Sequence, residues 1–328
     1  MAVVERSSRS IRDSRLPRFE HLEERRLLSV SALPEPAACN PWLALDTLGA
    51  RPAGAQADTH LVKYQALALD RSGMERLLDD APLESAVALA ESPVEIGLPT
   101  PDGGLARFRV VESPVMASEL AAEFPSIHTY AGVGITDPAA TLRCDLTPQG
   151  FHAQVISPQG AYYIDPYWHL DQSVYVSYFG SDLVVDSNQL AASRDENAIA
   201  QVTSQESSQS VSATAESLVA SAGDEPPAAR SGTQLRTYRL AVAATGEYTA
   251  YHGGTVALGQ AAIVTAVNRV TGIYEQELSV RLELVANNSQ LVYTNAATDP
   301  YTNSDGVTML SQNQATVDSI IGSANYDI

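Results

Sequence analysis

Three successive stretches decide the architecture: Leu235-Arg-Thr-Tyr-Arg-Leu-Ala-Val-Ala243, Thr255–Leu278, and Ser279-Val-Arg-Leu-Glu-Leu-Val285. The first reads as a buried strand. The second carries Ile263, Val267, Val270, Tyr274 and Leu278 at three- and four-residue spacing, which puts them on one face of a helix. The third alternates Val280, Leu282 and Leu284 with Arg281 and Glu283, the pattern of a half-buried strand. Strand, helix and strand of these lengths make a βαβ unit, whose crossover is expected to be right-handed. A polar loop, Asn295–Gly306, leads to a second expected helix over Val307–Ile321, and Ser323–Ile328 reads as the start of another strand.

Upstream of this unit the texture changes. No aromatic residue occurs between Phe179 and Tyr238, and Ser, Ala, Gln and Glu dominate. So little apolar surface cannot offset roughly 1–2 kcal/mol of backbone entropy per residue, and 186–232 is therefore expected to be a disordered linker. Residues 40–185 read instead as a folded α+β domain with its helices early and its strands late. Met74, Leu77 and Leu78 have helical spacing, as do Leu83, Ala86, Val87 and Ala90 after Pro82; Ala117–Phe124 reads as a short helix before Pro125. Ala106–Val111 alternates as a strand. Further strand-like pieces, Ala140–Leu146, Phe151–Ile156, Ala161–Ile164 and Ser173–Tyr178, follow in succession. Pro148-Gln-Gly150 and Pro158-Gln-Gly160 separate three of them, which predicts a meander or consecutive hairpins.

The first 39 residues form a basic segment. Seven arginines fall before residue 27, and Leu22-Glu-Glu-Arg25 resembles the Leu-Glu-Pro-Arg motif that opens many exported bacterial proteins, with Glu24 in place of its proline. Export to the medium or the cell surface is the expectation. The 328 residues carry 39 acidic and 20 basic side chains, a net charge of −19, which argues against nucleic acid and anionic membrane as partners. No run approaches eighteen apolar residues, so no transmembrane segment is expected. With two cysteines, Cys39 and Cys144, a cysteine-rich zinc site is excluded.

Chemistry is sparse. The six histidines are His21, His60, His128, His152, His169 and His252, and none has a second histidine at helical metal-pair spacing. Asp165-Pro-Tyr-Trp-His169 reads as structural, since Pro166 prevents a shared helix face. Asp299, Asn303 and Asp305 with Gly306 faintly resemble a calcium loop without its terminal glutamate, and the pattern reads first as a plain Asx-rich turn.

Thr237–Gly254 resembles the opening strand of bacterial reprolysin-like (adamalysin-type) zinc metallopeptidases, a family of the metzincin clan. Asn268–Leu284 resembles their first helix and second strand, and Asp299-Pro-Tyr301, Gln312-Asn-Gln314 and Ile321–Ile328 continue the match in order. Upstream, Phe124–Tyr130, Thr141-Leu-Arg143, Gly150-Phe-His-Ala153 and Tyr163–Tyr167 resemble the propeptide of the same proteins. The resemblance implies an α+β propeptide domain followed by an incomplete α/β metzincin-like catalytic domain, residues 233–328, with a βαβ unit and a second helix. It implies the precursor of an exported zinc endopeptidase acting on protein or peptide substrates. The family holds zinc through H-E-x-x-H-x-x-G-x-x-H, which is absent here, so no catalytic or zinc-binding residue is assigned and the 328-residue chain is expected to be inactive alone. The alternative from another class is a non-catalytic surface or interaction protein that keeps the propeptide-like fold. Processing is expected in the linker, with Arg230 the best single candidate. Some metzincin propeptides place a cysteine on the catalytic zinc, and Cys144 is the candidate for such latency, beside Arg143, which would lower its pKa; pairing with Cys39 and plain burial in a strand stay open.

Overall fold

The first strand, β1 (Trp42–Leu45), sets its indole edge-on against Phe151 and Tyr175, both ring centroids 5.5 Å away, and so ties the start of the upstream sheet to strands far along the chain. The computed structural model describes residues 40–52, 55–57, 60–184 and 234–328. The expected basic segment, the linker, Cys39 and Arg230 lie outside the described residues.

From Pro41 to Val184 the chain supplies nine strands: β1, β2 (Gln65–Leu69), β3 (Glu95–Pro99), β4 (Leu105–Glu112), β5 (His128–Gly134), β6 (Thr141–Thr147), β7 (Gly150–Ser157), β8 (Gly160–Trp168) and β9 (Asp171–Phe179). All neighbours pair antiparallel in the order β1-β2-β9-β8-β7-β6-β5-β4-β3. The sheet curls into a near-barrel, and the Ser177 hydroxyl of β9 donates to the Pro99 carbonyl of β3 at 2.9 Å.

β6 to β9 are the expected meander. Its two Pro-Gln-Gly turns share one device: the Thr147 and Ser157 hydroxyls accept from the backbone N–H of Gln149 and Gln159, at 3.0 and 3.3 Å. Gly150 has a φ of 126°, and a Cβ there would sit 2.9 Å from the Tyr175 hydroxyl, so both conformation and space demand glycine.

Leu142, Cys144 and Leu146 of β6 point into the barrel with Phe151, Ala153 and Val155 of β7. Helix α1 (Arg71–Asp79), capped by Asp70, adds Met74 and Leu78 to the same core. The helix expected from Leu83 to Ala90 does not form. Glu112 of β4 captures that segment instead, its N–H donating to the Pro82 carbonyl and its carbonyl accepting from Glu84 N–H, both at 2.9 Å, and a 3-10 turn forms at Leu89–Glu91. Helix α2 (Ser118–Glu123) forms where expected.

The downstream part contains β10 (Arg236–Leu240), α3 (Gly246–Tyr251), α4 (Val256–Glu277), β11 (Val280–Leu284) and α5 (Gly306–Ile320). β10 and β11 pair in parallel. β10 is partly exposed rather than buried. The last residues run beside it: Asp327 N–H donates to the Arg239 carbonyl at 2.8 Å, and Ala241 N–H to the Ile328 carbonyl at 3.0 Å.

α4 departs from its expected orientation. Ile263 and Val267 are buried against Leu282 and Leu284, but Val270, Tyr274 and Leu278 are 38%, 38% and 52% exposed. Beyond Val267 the buried residues of the helix are small or polar: Asn268, Thr271 and Gly272. By length and composition alone this helix could cross a membrane, yet more than half of its apolar stretch is buried within the fold. It packs as a core helix.

Candidate functional site

Strand alternation turns Arg143, Asp145, Gln154 and Asp165 to the outside of the barrel. Arg143, Asp145 and Gln154 are nevertheless only 5%, 1% and 4% exposed, because α4 lies across them. Buried charges must be paired, and here the partners come from the helix. Arg143 donates to Glu275 and, at 2.8 Å, to the Ser113 hydroxyl. Arg269 pairs with Asp165; burial opposes its charge, but the neighbouring carboxylates Asp165 and Asp145 outweigh that and raise its pKa. The Asp145 carboxylate accepts from the Thr265 hydroxyl at 2.8 Å and lies 2.9 Å from His152 Nδ1. Asn268 donates to the Cys144 carbonyl at 2.9 Å.

Backbone pairing adds direction to this junction. Ala117 N–H donates to the Leu284 carbonyl at 2.9 Å and Leu284 N–H to the Val115 carbonyl at 2.8 Å, so the chain before α2 runs along the outer edge of β11. At the end of α3, the carbonyls of Tyr251 and His252 accept from His169 Nε2 at 2.7 Å and from the Gln149 amide at 3.0 Å.

Two clefts flank α4. One, of about 290 Å³, lies by Arg143, Gln154, Glu275 and Arg281; the other, of about 250 Å³, by His152, Asp165, His169, His252 and Arg269. The second gathers three histidines, which spacing along the chain did not foretell. Its Asp145–His152 pair orients an imidazole, but the nearby Thr265 hydroxyl donates to the carboxylate, so it is not a nucleophile activated by that imidazole. Among the described residues, no three His, Cys, Asp or Glu side chains are gathered to hold a metal.

The sequence candidates are dispersed. The Asp299 carboxylate accepts from Gly246 N–H at 2.7 Å and Tyr301 N–H at 3.1 Å, pinning the loop to α3. Asp305 caps α5, accepting from Val307 and Thr308 N–H, and its bonds to Thr308 lower its pKa. Both carboxylates thus serve N–H donors, one pinning a loop and one capping a helix. Cys144 is a free thiol, fully buried in the barrel core, and its candidate partner Cys39 lies outside the described residues. Burial pushes its pKa well up and Asp145 adds to the rise; Arg143 lowers it as expected, but by less than burial raises it.

Residues 234–328 match a family model described as Metallo-peptidase family M12B Reprolysin-like. The matched segment runs from β10 through α5 to the residues beside β10. No curated protein matches the chain.

Proposed function

We propose that this chain is part of the precursor of an exported zinc-dependent endopeptidase, with residues 40–185 as propeptide and 233–328 as the opening part of the catalytic domain. The observation that carries the reading is the reprolysin-like match over 234–328, the segment that residues 41–184 cover through α4 and the edge of β11. Zinc would supply an activated water for peptide hydrolysis. The residues present do not fit a zinc site: no ligand set is gathered among the described residues and the sequence lacks H-E-x-x-H, so no catalytic step is assigned to this chain. What these residues do in the reading is hold α4 and β11 in place.

Zinc content and casein cleavage, measured for the 328-residue chain and for a longer product carrying the histidine motif, test this. Zinc and activity only in the longer form are expected. Activity in the 328-residue chain, or none in the longer form after processing, would overturn it.

A further inference from the structure

We propose that the cleft of about 250 Å³ beside α4 binds an uncharged carboxamide on a short aliphatic stem, the group that asparagine and glutamine side chains carry. Such a site goes beyond the peptidase reading and does not depend on it.

His152 of β7 and Arg269 of α4 both line the cleft. The Asp145 carboxylate lies 2.9 Å from His152 Nδ1 and, as an acceptor, fixes the hydrogen of the neutral ring on that nitrogen. Nε2 therefore keeps its lone pair, and it has no hydrogen-bond partner among the described residues. Arg269 spends one terminal nitrogen on Asp165, and its Nη1 has no acceptor among the described residues. Neither atom is sealed inside the protein, so the cleft offers a ligand one acceptor and one donor. The two nearby carboxylates are already engaged: Asp145 also accepts from the Thr265 hydroxyl and Asp165 from the Tyr178 hydroxyl, both at 2.8 Å. Asp145 and Asp165 outnumber the guanidinium and repel an added anion, while Arg269 repels an added cation. A neutral amide suits both open atoms, its NH₂ donating to Nε2 and its carbonyl accepting from Nη1. Pro166, Leu170 and Ala262 supply apolar wall for the methylenes of the stem, which a polyol would leave unused. Trp168 belongs to the same lining, and its indole N–H lacks an acceptor as well.

The chain has two tryptophans, so the isotope-labelled full chain gives two indole N–H resonances in NMR: Trp168 as reporter and Trp42, in the barrel core, as internal control. Trp168→Phe assigns them. Titration with N-acetylglutamine methylamide should move the Trp168 resonance saturably, with a Kd of about 1 mM, and leave Trp42 in place. The matching glutamate compound, whose carboxylate cannot donate to Nε2, should bind at least roughly tenfold more weakly. His152→Gln can still serve Asp145 through its own amide but removes the imidazole acceptor; it should lose the response, with an unmoved Trp42 resonance as the sign of an intact barrel. No saturable shift in the parent chain, equal binding of the two compounds, or an undiminished response in a folded His152→Gln protein would overturn the proposal.

Discussion

Gly272→Ala offers a test in which two effects have opposite signs. In a helix interior this change normally stabilises by about 1 kcal/mol. Here the new methyl would meet Arg143 Cγ at 2.6 Å, whereas carbon atoms pack at about 3.5–4 Å, so the arginine must move by roughly 1 Å. Arg143 is buried and held by Ser113 and Glu275. Loosening charged hydrogen bonds of this kind costs about 1.5–3 kcal/mol, which exceeds the gain. The net expectation is destabilisation by about 0.5–2 kcal/mol, measured by urea unfolding. Gly306→Ala is the control: nothing lies within 4 Å of its Cβ position, and that variant should be neutral or stabilised by up to about 1 kcal/mol. A Gly272→Ala protein as stable as the parent would refute the argument that Arg143 is fixed in its seat.

Other expectations follow from single sites. Leu284→Ala, at a fully buried position under α4, should cost about 2–5 kcal/mol in the same assay. Leu170 is 55% exposed with a φ of 55°, so Leu170→Gly should leave stability unchanged or raise it by up to about 1 kcal/mol; a clear loss would contradict strain there. The His128 pKa is raised above 6.5 chiefly by its hydrogen bond to Glu112, against desolvation. Its stabilisation is therefore full below 6.5 and lost as pH rises through the folded value, and the stability gap to His128→Gln should narrow across that range. The Cys144 thiol should resist a thiol reagent until the protein unfolds, and rapid reaction in the native state would contradict its burial.

Local pattern determined most elements: the meander from alternating residues and repeated Pro-Gln-Gly turns, and α4 from its apolar spacing between Thr255 and Leu278. Such signals depend on neighbours a few residues apart, so they survive without knowledge of the rest of the chain. They failed at Leu83–Ala90, where a distant strand took the backbone hydrogen bonds, and along the second half of α4, where Val270 and Tyr274 face outward. The buried junction was also illegible. Alternation marks Arg143 and Asp145 as lying opposite the apolar face of β6, but only the tertiary structure lays α4 across them, because Glu275 and Thr265, more than a hundred residues away in sequence, supply the hydrogen bonds that make burial of those charges tolerable.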